Sequence, residues 1–153
     1  MAQAVYEDLV FYDFEAKDAE DVIRKLGAHL EKNGFVKDTY IDAVAVREKE
    51  YPTGLNLDGA AVAMPHTSGT HVIKPAVLIA RLKDPVTFLH MGDSDTRVNA
   101  EFIFMMAILD PNDQILLLQK MMQVFTDKQI LSEFVAADNR ETLSAVAQKF
   151  IQM

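Results

Sequence analysis

Apolar and polar positions change period along this chain, and the changes mark out its elements. Leu9 to Phe14 is apolar and aromatic enough for an opening strand. Val22, Ile23, Leu26 and Leu30 then recur at helical spacing behind Asp18, which suits a helix start, and Asn33-Gly34 suits its end. A second helix follows on Tyr40, Val44, Arg47 and Tyr51. Thr39 with Asp42 resembles its capping box, and Pro52 and Gly54 stop it, so Arg47 falls near its C-terminal end.

The middle third shifts to strand character over Ala60 to Met64, Ala76 to Leu82, Val86 to His90 and Glu101 to Leu109, separated by Gly, Pro and Asp clusters. The last of these is apolar from Phe102 to Leu109, which predicts a central strand covered on both faces. From Asn112 the helical period returns, with Ile115, Leu118, Met122 and Phe125 on one side. Thr126 with Gln129 forms a second capping-box pattern, and a final helix begins at about Asn139. Met105, Met106, Met121 and Met122 fall at core spacing. The order predicts an α/β (α+β) fold, a mixed central sheet of about five strands with helices on both faces. No repeat or linker divides residues 1–153, so a single domain is expected.

Charge narrows the partners. Lys plus Arg is 15 against 23 Asp plus Glu, a net −8 that repels phosphate backbones and anionic lipid, so neither nucleic acid nor a membrane surface is an expected partner. The absence of cysteine removes disulfides, zinc-thiolate sites and thiol catalysis. The acidic N-terminal stretch lacks the pattern of an export signal, and no apolar run approaches the roughly 20 residues of a membrane helix. A cytoplasmic protein without membrane insertion is expected.

His66 is the first chemical candidate. It follows a predicted strand through Pro65, which stiffens the strand end, and precedes Thr67-Ser68-Gly69-Thr70, whose backbone N–H groups can hold an anion. It is either a phosphoryl-accepting imidazole or a surface histidine in a turn. His71 lies five residues on, and neither helix nor strand would pair it with His66; a shared site needs an irregular loop. No spacing supports a two-histidine metal site. His29 and His90 have no motif around them. Arg47 is either a solvated helix residue pairing with Glu48 or Glu50, or a planar donor fork for phosphate oxygens, and spacing does not decide. Asp93 and Asp95 lack the flanking ligands of a calcium loop and fit a turn between strands.

Arg47-Glu48, then Tyr51-Pro52-Thr53-Gly54-Leu55, then Ala63-Met64-Pro65-His66 resemble the enzyme IIA component of the bacterial phosphoenolpyruvate-dependent sugar phosphotransferase system, in its mannitol, fructose and galactitol branch. The resemblance runs over about residues 20 to 151. It implies that His66 is phosphorylated by the phosphocarrier HPr and passes the group to a cysteine on enzyme IIB, with Arg47 stabilising the phosphoryl group. It also implies the same mixed sheet that periodicity predicts. Mannitol and fructose members commonly carry a second histidine where this chain has Gln114. Galactitol-type members resemble the chain better, having glutamine there and a histidine at the place of His71. The sugar expected is therefore galactitol or a related alditol.

The scheme that follows gives His66 the nucleophile's part and makes Arg47, the Gln114 amide, the Thr53 hydroxyl and the N–H groups near Thr67 and Ser68 donors to phosphoryl oxygens, with His71 near the site and a flat apolar rim around it. It calls for no metal and no cofactor. Without cysteine or a membrane span, the IIB acceptor and the IIC transporter are expected on separate chains. The rival is a regulatory, nitrogen-type IIA module, in which the phosphorylation state of His66 controls docking to other proteins. A fold that has lost phosphotransfer is a third reading, against which Arg47 and His66 both stand.

Overall fold

Residues Phe102 to Ile108 alternate between two hydrophobic cores. Phe102, Phe104, Met106 and Ile108 face one, and Ile103, Met105 and Ala107 the other, every one buried. The alternation follows from the two-residue period of a strand, and burial on both sides explains the unbroken apolar run. The computed structural model describes residues 4–151.

This strand, β5 (Asp93–Ala107), lies between β4 (Ala76–His90), to which it is antiparallel, and β3 (Ala61–Ala63), to which it is parallel. β1 (Val10–Phe14) runs parallel to the far side of β4, and β2 (Gly54–Asn56) pairs antiparallel with β3 and meets β4 where Gly54 opposes His90. The result is the mixed five-stranded sheet expected, within a single α/β domain. Helices α1 (Ala19–Lys32) and α2 (Tyr40–Glu50) cover one face through Val22, Ile23, Leu26, Leu30, Tyr40 and Val44. Helices α3 (Pro111–Thr126), α4 (Lys128–Ala136) and α5 (Arg140–Ile151) cover the other through Leu117, Met121, Phe134, Leu143 and Ala147.

Five strands are found, but not the same five. The two segments expected over Ala76–Leu82 and Val86–His90 are one strand: Pro85 lacks an N–H, so the ladder with β5 slips between Arg81 and Val86 while the chain runs on. β5 begins eight residues before its predicted start at Glu101, in a polar stretch whose Val98 and Ala100 alone face the core. Asp93 does sit beside the hairpin turn at Met91-Gly92, where it accepts from the Asp95 N–H and the Thr96 hydroxyl.

The missing strand, β2, forms a hairpin with β3 across Asp58-Gly59, where Gly59 has φ +115° and the Leu57 N–H donates to the Ala60 carbonyl.

Helix starts differ from the capping-box patterns in two places. Thr39 precedes α2 but makes no cap bond, because its hydroxyl is engaged by His71. Asp127, not Thr126, caps α4, accepting from the N–H groups of Gln129 and Ile130, while Thr126 donates to the Met122 carbonyl in the helix before. Asp18 and Asn139 bond as cap residues for α1 and α5, accepting from Asp21 N–H and Thr142 N–H.

The buried face of α3 is also rotated from the expected one. Leu117, Met121, Val124 and Phe125 point inward, whereas Ile115, Leu116 and Met122 are exposed. Of the four methionines expected in the core, Met105, Met106 and Met121 are there and Met122 is not. With apolar residues on more than one side of α3, period alone leaves its phase open.

Candidate functional site

The parallel pairing of β3 with β5 brings their carboxyl ends to one edge of the sheet, and His66 leaves that edge. Pro65 continues the ladder after β3, its carbonyl accepting the Met106 N–H at 3.1 Å, so the residues before His66 are held as firmly as the strand itself. His66 is 9% exposed. Its Nδ1 lies 2.7 Å from the Met64 carbonyl, an acceptor only, so Nδ1 carries the proton. The other ring nitrogen, Nε2, has no partner among the described residues. Among the described residues no fully buried side-chain nitrogen lacks a bond, so Nε2 meets solvent.

Burial lowers the His66 pKa below the usual imidazole value; the bond to Met64 opposes this and the positive charge of Arg47 adds to it. The ring is therefore neutral at neutral pH, with the lone pair of Nε2 free.

Arg47 acts on His66 from the last turn of α2. It makes none of the ion pairs a solvated helix face would offer it, with either Glu48 or Glu50; its guanidinium lies 5.2 Å above the Tyr51 ring and is exposed. An arginine whose side-chain donors meet no acceptor among the described residues, and whose charge reaches a mostly buried imidazole, fits an oxyanion that arrives from outside.

Gln114 enters from the far side. Asp110 caps α3 by accepting the Asn112 N–H, Pro111 starts it, and Gln114 in its first turn donates through Nε2 to the Thr67 carbonyl at 3.1 Å. Gly69, two residues on from Thr67, lies so close to Leu109 that a Cβ there would stand 2.1 Å from the Leu109 carbonyl oxygen. The backbone N–H groups of Thr67 and Ser68 meet no acceptor among the described residues. Exposed Leu109, Ile115 and Leu116 lie on this side, and exposed Val46 and Tyr51 on the Arg47 side, which supplies apolar surface to both.

Two expected members of the site are otherwise engaged. The Thr53 hydroxyl donates its one proton to Glu48 Oε1 at 2.8 Å and accepts the Met64 N–H at 3.1 Å, so it has none to give a phosphoryl oxygen. His71, in a short 3-10 turn, shares a 2.8 Å hydrogen bond with Thr39 through Nδ1 and makes none with His66, Arg47 or Gln114. His29 stacks on Phe11, and His90 bonds the Met91 carbonyl at the hairpin end. Among the described residues no group of three His, Asp or Glu side chains is arranged to hold a metal ion.

Glu48 is the residue that spacing did not bring forward as part of the site. It accepts from both the N–H and the hydroxyl of Thr53, each at 2.8 Å. Burial pushes its carboxyl up to about 7, against the two Thr53 bonds and the charge of Arg47. A signal was present: Tyr40, Val44 and Glu48 stand four residues apart, which puts a carboxylate on the buried stripe of α2.

The sequence matches the family model for the phosphoenolpyruvate-dependent sugar phosphotransferase system, EIIA 2, over residues 4–149. The chain belongs to this family. It is 30% identical to the galactitol-specific EIIA component of Escherichia coli K12 over 102 residues, 67% of each chain. Two solved structures share the fold. An EIIA chain of the complex of enzyme IIAMTL with phosphorylated enzyme IIBMTL from Escherichia coli has TM-score 0.71 at 22% identity, covering 92% of this chain and 93% of that one. The nitrogen regulatory protein IIA-Ntr from Neisseria meningitidis has TM-score 0.74 at 23% identity, covering 93% and 94%. EIIA components are phosphotransferases of the sugar system, and the chain is one of this family. No helix among the described residues is long and apolar enough to cross a membrane.

Proposed function

We propose that this EIIA component carries a phosphoryl group on His66 Nε2, taking it from phospho-HPr and passing it to a cysteine of a separate enzyme IIB. The observation that carries the reading is the imidazole whose Nδ1–H is committed to the Met64 carbonyl while Nε2 stands open within reach of the charge of Arg47. In the first step the Nε2 lone pair attacks phosphorus. The bond to the HPr histidine breaks with its electron pair leaving on that ring, and the Nδ1 proton stays on His66. Met64 then accepts from an imidazole that has become cationic. In the second step a IIB thiolate attacks the same phosphorus and Nε2 departs with its electron pair.

Arg47 and the N–H groups of Thr67 and Ser68 are donors for the phosphoryl oxygens, with the second amide proton of Gln114 beside them. Thr53 serves by placing Met64 rather than by touching phosphate. His71 holds the start of α2 through Thr39. Action on a sugar alcohol such as galactitol follows the 30%-identical galactitol-specific relative, and the cytoplasm is its proposed compartment; the nitrogen regulatory protein resembles this chain in fold alone. The complex of enzyme IIAMTL with phosphorylated enzyme IIBMTL supports an enzyme IIB as the acceptor, and the proposal puts IIC on a third chain.

Incubation with phosphoenolpyruvate, enzyme I and HPr, then with candidate IIB proteins, tests the reading. Phosphoryl transfer from wild type and none from His66→Ala is expected. Phosphorylation of wild type followed by no transfer to any sugar-system IIB would move the protein to the regulatory reading.

A further inference from the structure

The imidazole of His66 is the last link of a hydrogen-bond chain that starts on α2. Glu48 Oε1 accepts the Thr53 hydroxyl proton, Thr53 Oγ1 accepts the Met64 N–H, and the Met64 carbonyl accepts the His66 Nδ1–H, at 2.8, 3.1 and 2.7 Å. Glu48 Oε2 also takes the Thr53 N–H at 2.8 Å, so the carboxylate grips Thr53 at two points. We infer that Glu48 is a positioning residue for phosphotransfer, holding His66 through Thr53 and Met64 in the tautomer and orientation that present Nε2.

Each link has a physical reason. A hydroxyl rotates freely and can donate in any direction, but once Glu48 holds its only proton, a lone pair of Thr53 Oγ1 is turned to the Met64 N–H. That N–H and the carbonyl that grips His66 belong to the same residue, so the bond to Thr53 sets where the carbonyl points. Without this acceptor an imidazole in water prefers the proton on Nε2, which removes the nucleophilic lone pair from the exposed side.

The setting of Glu48 supports the inference. Its carboxylate borders a cavity of about 140 Å³ whose walls include Ile23, Ala45, Phe88 and Leu89. A carboxylate costs free energy in apolar surroundings unless hydrogen-bonded, and the bonds it has here both go to Thr53. Glu48 also follows Arg47 directly, so one turn of α2 places both the phosphate donor fork and the anchor of the nucleophile.

The inference rests on the phosphocarrier reading, and the test separates the two. Long-range proton–nitrogen spectra of the ¹⁵N-labelled full chain report the His66 tautomer without any phosphoryl donor; phosphorylation by phospho-HPr reports rate and KM. Wild type is expected to hold the proton on Nδ1. Glu48→Ala is expected to shift His66 toward the Nε2–H form and to slow phosphorylation about tenfold or more at saturating phospho-HPr, with KM little changed. Glu48→Gln, which keeps one acceptor oxygen, recovers part of both.

Thr53→Val cuts the same chain at its middle link, and adding Glu48→Gln to it should change the tautomer no further. An unchanged tautomer and maximal rate in Glu48→Gln and Thr53→Val would overturn the inference, as would additive effects of the two. Wild type that accepts no phosphoryl group would instead overturn the phosphocarrier reading, while the tautomer measurement still decided whether Glu48 positions the ring.

Discussion

Gln114 and Thr67, 47 residues apart, are joined by a 3.1 Å hydrogen bond from the Gln114 amide to the Thr67 carbonyl, which ties the loop after His66 to the first turn of α3. Gln114→Ala should cost about 1 kcal/mol of stability in urea denaturation. Its sharper signature is faster amide hydrogen exchange over residues 67 to 70. Unchanged exchange there would mean that the loop is held by other contacts.

Gly69→Ala tests how closely that loop is packed. The added Cβ would stand 2.1 Å from the Leu109 oxygen and 2.8 Å from its carbonyl carbon. Both are backbone atoms, so no side chain can swing aside and the loop must shift. A loss of roughly 1–3 kcal/mol is expected, read as a lower thermal midpoint, together with slower phosphorylation of His66.

Arg47→Ala separates charge stabilisation from folding. The side chain is exposed and has no ion pair among the described residues, so stability should change by no more than about 0.5 kcal/mol. The phosphorylation rate should fall roughly 10²–10³-fold, the usual cost of losing a donor to transition-state charge. Arg47→Lys should recover only part, because it keeps the charge and loses the planar fork. A full rate in Arg47→Ala would return the residue to the solvated face of α2.

Two groups of the site give stability opposite dependences on pH. The native His66 pKa lies below the 6.5 of an unperturbed imidazole, so below that pH the unfolded chain binds a proton that the native one refuses, and stability falls as pH drops. The native Glu48 pKa of about 7 lies above the unfolded 4.5, so between these values the native chain holds more protons and stability falls as pH rises.

Solvent at the partly open site reduces both effects. The charge of Arg47 acts on Glu48, and Glu20 and Lys49 border the same cavity, bridged at 3.4 Å. Glu48→Gln should flatten the loss between pH 5 and 7 in urea titrations and leave the acid-side loss from His66 in place. An identical slope in the variant would contradict the burial of Glu48.

The sheet and both helical layers were legible in the sequence because burial on two sides leaves an unmistakable record: Phe102 to Ile108 could hardly lie anywhere but the middle, although the apolar run overshoots the strand by the exposed Leu109. The register of the rest was not. Pro85 marks a break in pairing without ending a strand, and the outer half of β5 shows only Val98 and Ala100 to the core. The β2–β3 hairpin was not read either: its one mark is the turn pair Asp58-Gly59, and its strands are too short to show a period.

At the site, His66 follows β3, Arg47 lies in the last turn of α2 and Gln114 in the first turn of α3, but the part played by Thr53 depends on where one hydroxyl proton goes, and Glu48 supplies the answer from a helix read for its apolar positions. The engagement of His71 by Thr39 is likewise a tertiary fact, set by the short turn that carries the histidine back to the start of α2.

The central claim is that one phosphoryl group is carried on His66 Nε2. Intact mass after incubation with phosphoenolpyruvate, enzyme I and HPr, on wild type and His66→Ala, measures it directly, with phosphorus NMR identifying the nitrogen. A single acid-labile phosphoryl group on wild type, bonded to Nε2, and none on the variant is expected. A phosphoryl group on Nδ1, on another residue, or equally on His66→Ala would contradict it.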